Sequence, residues 1–215
     1  MRELGESIRR IAEIVFGDKR FRGRVERVLA SDPGRASEAG RRRLFDPTLA
    51  EIDAELCALA AHNAAANGLG ERVRAVPVDV QDQAALVAAG LRPGEADRVL
   101  MNPPFNDPRR QTVSPDARRR LAHVAPPGLL PRWIASAAAL LKPQGVLTLI
   151  WRAEGLDEVI AALMPAFGAA AVLPVLSREG GAPIRVLVRA VRGAEPGRHD
   201  HAPLILNAPS GRPSA

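Results

Sequence analysis

Residues 97–105 read Asp97-Arg98-Val99-Leu100-Met101-Asn102-Pro103-Pro104-Phe105, and the order of residue types here decides the fold. Val99-Leu100-Met101 is a short apolar run of the kind that forms a strand buried between layers. Asn102 and two prolines stop it at once, because proline has no N–H to give to a neighbouring strand. The prolines also fix the backbone, so that neighbouring carbonyls project one way. Phe105 then follows in a loop, in a chain with five Phe, two Trp and no Tyr. A plain turn is the alternative, since Asn and Pro are both turn formers. In open α/β sheets, however, ligands bind beyond the carboxyl ends of the strands, so this stretch marks a candidate site as well as a strand end.

Upstream, Asp53 is placed to cap a helix through Leu56, Leu59, Ala60 and Ala64 that leaves at Asn67-Gly68. Residues 72–78 alternate as a strand ending at Asp79, residues 81–89 form a short helix and residues 90–94 a turn. Downstream, residues 129–141 are an apolar helix stopped by Lys142-Pro143-Gln144-Gly145, and residues 146–151 are a strand. A helix from 156 to about 167, a strand at 170–176, a Glu179-Gly180-Gly181 turn and a strand at 184–191 complete the pattern. Alternating strand and helix predicts an α/β fold with a mostly parallel sheet and helices on its faces. The last two strands are joined by too few residues for a crossover helix, so they form an antiparallel hairpin.

The chain has 215 residues and is 47% hydrophobic, which suits one α/β domain. A disulfide framework is excluded within the chain, because Cys57 is alone; among Leu56, Ala58 and Leu59 it reads as a small core residue, and a cytoplasmic protein is expected. Residues 159–176 are uncharged but carry Pro165, Gly168 and Pro174, and read as a buried helix and strand rather than a membrane span. His199-Asp200-His201 lacks a third ligand, so no metal is expected. Lys and Arg number 30 against 24 Asp and Glu, but only Lys19 and Lys142 are lysine, as in a GC-rich coding bias. Residues 101–150 nevertheless hold seven basic and two acidic side chains, and residues 51–100 hold four and eight. That asymmetry fits a polyanion meeting one face, or a solvated surface.

Three segments follow. Residues 49–192 form the α/β domain, and residues 193–215, rich in Pro, Gly and Ser, form a flexible tail. Residues 1–48 are atypical: a helix is possible at 7–16, but 17–47 hold no strand-like run longer than Val28-Leu29-Ala30.

Val99 to Phe105 resembles the signature of class I S-adenosylmethionine-dependent methyltransferases that act on amino groups of bases. Glu51-Ile52-Asp53, Ala61 with Asn63, and Asn67-Gly68-Leu69 resemble those enzymes too. The flanking text is similar to the bacterial tRNA (adenine-N6)-methyltransferases that modify a valine tRNA. It comprises Thr112, Ser114-Pro115-Asp116, Trp133-Ile134, Leu147-Thr148-Leu149-Ile150, Arg152-Ala153-Glu154 and Arg185-Val186-Leu187-Val188-Arg189. The resemblance spans about residues 51–192 and implies a Rossmann-like fold, S-adenosylmethionine as cofactor, and methyl transfer to adenine N6 in tRNA. The tetrapeptide is shared with guanine-N2 methyltransferases of ribosomal RNA and glutamine-N5 methyltransferases of protein. Those activities, and a non-catalytic RNA-binding remnant, are the alternatives.

The resemblance also implies roles. Glu51 would accept hydrogen bonds from the cofactor ribose, Asp79 would hold its adenine amino group, and Val80 would line that pocket. Asn102 and the Pro103 carbonyl would accept hydrogen bonds from the target amine, with Pro104 fixing the turn and Asn102 also touching the cofactor. Phe105 would stack on an unpaired or flipped base. Arg109, Arg110, Arg118, Arg119 and Arg120 would meet the RNA backbone, or form a solvated face. A monomer is expected.

The chain departs from this pattern before Glu51. Such enzymes carry Asp-x-Gly-x-Gly-x-Gly after their first strand, where glycine lets backbone approach the methionine part of the cofactor. Here residues 31–41 read Ser-Asp-Pro-Gly-Arg-Ala-Ser-Glu-Ala-Gly-Arg, with no Gly-x-Gly and no apolar strand before them. Arg41-Arg42-Arg43-Leu44-Phe45-Asp46-Pro47 stands where the strand into Glu51 belongs. A frameshift or a divergent N-terminus both account for this, and weak cofactor binding is expected under either.

Overall fold

The protein is described from a computed structural model, which places residues 47–104 and 128–207. Strand β1 (Thr48–Glu51) leads into helix α1 (Ala54–Ala66), whose first N–H groups are capped by the Asp53 carboxylate at Glu55 N (2.9 Å) and Leu56 N (3.2 Å). Strand β2 (Arg74–Pro77) returns parallel to β1, with Glu51 opposite Pro77. A short helix α2 (Gln83–Ala88), capped by Asp82, connects to β3 (Ala96–Met101). Then come α3 (Leu129–Leu140), β4 (Leu141–Arg152), α4 (Leu156–Leu163), β5 (Phe167–Arg178) and β6 (Pro183–Arg192).

The strands form two sheets: the parallel pair β1–β2, and a six-stranded sheet in the order β3-β4-β6-β5 with two short strands beyond β5. β3 and β4 pair in parallel, and β6 is antiparallel to both β4 and β5, so the expected hairpin is present. Val76 of β2 and Val78 just beyond its end lie two apart on one face and bury against Leu86 of α2 and Leu140 of α3. Helix α1 packs against both β1 and β2, and among the described residues β1 and β3 share no ladder.

The main core sits under one face of the larger sheet. Leu147, Leu149 and Trp151 alternate inward along β4, facing Val186, Val188 and Ala190 of β6. Leu130, Ile134 and Ala137 of α3 and Val159 and Leu163 of α4 close over them. On the opposite face Leu100 of β3 is 53% exposed.

Three elements differ from expectation. A strand does lead into Glu51: Thr48–Glu51 pairs in parallel with Arg74–Pro77, although Arg41 to Pro47 stands where that strand was expected. Lys142-Pro143-Gln144-Gly145 is a bulge inside β4, which already pairs at Leu141 with Ala96 and resumes at Val146 with Arg98. Gln144 takes φ +62° there. Residues 198–200 and 204–207 form β7 (Arg198–Asp200) and β8 (Leu204–Asn207), both parallel to β5, rather than a loose tail. The open edge of β5 needs partners for its backbone groups, and Leu204 buries its side chain there. The N-terminal segment to residue 46 and the end of the tail lie outside the described residues.

Candidate active site

Glu51 closes β1, and its backbone carbonyl accepts from Val78 N–H at 2.8 Å. Asp79 follows directly, so the two acids stand side by side at the carboxyl end of the parallel pair. Both are half-buried. Glu51 Oε1 accepts from its own loop at Asp53 N–H (2.9 Å). Asp79 Oδ1 accepts from Gln81 N–H (2.9 Å) and Gln81 Nε2 (3.4 Å), which closes a tight turn around the half-buried Val80. A carboxylate has about four lone-pair sites, so both acids retain acceptor capacity toward a ligand.

Asn102 stands exposed just beyond the carboxyl end of β3, while Pro103 is fully buried and Pro104 half-buried. A buried, rigid residue thus anchors the backbone that presents the Asn102 carboxamide outward. Phe105 and Arg109, Arg110, Arg118, Arg119 and Arg120 lie outside the described residues.

Helix α3 shows that the two strand ends share one rim. It runs back along β3 and β4, because its last residue adjoins Leu141, which pairs with Ala96 at the start of β3. Its C-terminal end also accepts from the loop before β3, Gly94 N–H to the Ala139 carbonyl at 2.9 Å. Its N-terminal turn therefore lies at the carboxyl end of β3. There Arg132 Nε donates to Gln81 Oε1 at 2.6 Å, in the turn that follows β2. Glu51, Asp79, Val80 and Asn102 accordingly rise from the same side of the molecule. Gln81 and Arg132 were not readable as site residues: 51 positions separate them, and neither falls in a recognisable motif.

His199 and His201 meet edge to face with ring centroids 4.6 Å apart, and Asp200 pairs with Arg198 at 2.9 Å. Among the described residues no group of three or more His, Cys, Asp or Glu is placed to hold a metal. No helix among them is long and apolar enough to cross a membrane. Cys57 is buried, as expected of a core residue.

No family model matches the chain. Over 118 residues it is 36% identical to the release factor glutamine methyltransferase of Chlorobaculum tepidum, covering 52% of this chain and 39% of that protein. The chain thus spans about two-fifths of that relative's length. A predicted O-methyltransferase from Agrobacterium tumefaciens superposes with a TM-score of 0.60 and 28% identity, over 75% of this chain and 69% of that one. TrmN from Thermus thermophilus superposes with a TM-score of 0.43 and 25% identity, over 67% and 36%. The fold is the Rossmann-like class I methyltransferase fold that the sequence led one to expect.

Proposed function

We propose that this chain is an S-adenosylmethionine-dependent methyltransferase acting on the N6 amino group of an unpaired adenine in RNA, with tRNA as its substrate class. The observation that carries the reading is the exposed Asn102 on a buried Pro103, raised on the same rim as Glu51 and Asp79. Adjacent carboxylates at the carboxyl ends of parallel strands suit the ribose hydroxyls and adenine amine of the cofactor. When bound, the cofactor supplies an electrophilic methyl group on its sulfonium.

The chain's part is to prepare the nucleophile. An exocyclic amine is weak because its lone pair is delocalised into the ring. Asn102 Oδ1 and the Pro103 carbonyl accept its two N–H bonds and favour a pyramidal nitrogen, with the lone pair held in one direction. Positioning and fixed dipoles supply the rate, without a covalent intermediate. Phe105 stacks on the base, and Arg109, Arg110, Arg118, Arg119 and Arg120 bind the RNA backbone, so affinity falls with salt. Residues 49–192 are the catalytic domain, and the protein works in the cytoplasm as a monomer.

Glutamine N5 is the second reading, favoured by the Chlorobaculum tepidum relative. A carboxamide also presents an amine conjugated to a planar carbon, and the same two acceptors serve it. The test incubates the purified chain and labelled S-adenosylmethionine with a valine tRNA transcript, ribosomal RNA or a release factor. Label recovered as N6-methyladenine is expected; label in glutamine exchanges the two readings, and label in none of the three refutes both.

A further inference from the structure

Among the described residues the sheets that carry Asp79 and Asn102 share no ladder, and helix α3 makes side-chain contacts toward both. Leu130, Ile134 and Ala137 enter the main core. Arg132, Ser136 and Leu140 lie roughly on the opposite side of the helix and meet the β2–α2 side. Ser136 is 6% exposed, and among the described residues it is the buried polar side chain. Its hydroxyl accepts from Gln83 Nε2 at 3.1 Å. One turn earlier on the same face, Arg132 Nε donates to Gln81 Oε1, and Gln81 itself donates to Asp79 Oδ1.

We propose that Arg132 and Ser136 are positioning residues: a two-point clamp on α3 that fixes the Asp79–Val80 turn relative to Asn102. The inference deepens the functional reading above and rests on it for its consequence, the alignment of cofactor and methyl acceptor. The physical case is one of register. An apolar face slides at little cost, whereas a buried hydroxyl placed out of register loses its partner and carries the full desolvation cost. Hydrogen bonds at i and i+4 constrain both translation and rotation of the helix. The charge-assisted bond from Arg132 then reaches Asp79 through one intervening side chain, Gln81.

The experiment uses the full chain and four variants, Arg132→Met, Arg132→Lys, Gln81→Ala and the Gln81→Ala/Arg132→Met double. The first readout is amide hydrogen exchange at Gln81 and Asp82, whose N–H groups bond Asp79 Oδ1 and the Asp79 carbonyl. Losing one net hydrogen bond predicts about tenfold faster exchange there in Arg132→Met, with β4 and β6 unchanged. Arg132→Lys recovers most of the protection, since an ammonium can still donate. The double variant is no worse than the worse single, as one shared interaction requires. The second readout is calorimetric binding of S-adenosylhomocysteine, weakened about tenfold in Arg132→Met. Unchanged exchange at Gln81 and Asp82, or fully additive single effects, overturns the clamp. A wild-type chain that binds no S-adenosylhomocysteine while the exchange result holds sinks the cofactor reading instead.

Discussion

In the proposed reading Asn102 carries the reaction at the residue scale, because its environment separates presentation from support. The carboxamide is exposed, whereas the neighbouring Pro103 is buried, so removing the former leaves the packing intact. Asn102→Ala is expected to reduce methyl transfer by at least about 10²–10³-fold, the usual cost of a preorganised polar group at the reacting centre. The thermal midpoint should move by less than about 2 °C, as for an exposed side chain outside the core. Radiolabel transfer beside a melting curve checks both, and wild-type turnover refutes the assignment. Glu51 tests the other end of the site. Glu51→Gln keeps an acceptor oxygen for Asp53 N–H but removes the charge, so S-adenosylhomocysteine affinity should fall about tenfold or more. Unchanged affinity by calorimetry would remove Glu51 from the cofactor site.

At the scale of elements, the legible parts were those whose signal is local. The β3 run, its proline stop, the Asp53 cap and the β5–β6 hairpin all follow from short patterns, and each is present. Two features were hidden because composition averages over position. Pro, Gly and Ser in the tail masked the Leu204–Asn207 strand, although Leu204, Ile205 and Asn207 pair with the open edge of β5. Lys142-Pro143-Gln144-Gly145 reads as a stop, yet the flanking register lets β4 pass through it as a bulge. The clamp on α3 was illegible for another reason: its partners are 51 and 53 residues apart, and no periodicity links them. The contribution of β8 is measurable. Leu204 is buried, and Asn207 Nδ2 donates to the Ser177 carbonyl at 2.9 Å. Leu204→Ala should cost about 2 kcal/mol, the lower end for a buried leucine. Urea unfolding with an unchanged m-value would report it. A loss below about 0.5 kcal/mol would be surface behaviour, and would mean that β8 adds nothing to the fold.

For the whole molecule, the proposed cofactor site has unequal halves. Its adenosine side would have Glu51 at the end of β1 and Asp79 and Val80 in the turn after β2. The methionine side has no Gly-x-Gly in residues 31–41 to let backbone close on the amino-acid part. Charged hydrogen bonds to the ammonium and carboxylate of the methionine part are worth about 1.5–3 kcal/mol each, so a complete cradle would separate S-adenosylhomocysteine from 5′-deoxy-5′-methylthioadenosine by over about a hundredfold. This chain should bind the two ligands within about tenfold of each other, one hydrogen bond's difference at most, and neither in the low micromolar range. Calorimetry with both ligands on one preparation reads the ratio directly, free of errors in active fraction. A ratio above about a hundred would mean that the methionine part is held by groups other than a glycine-rich turn. The cradle would then be complete, and the departure in residues 31–41 would be a substitution of one anchoring chemistry for another.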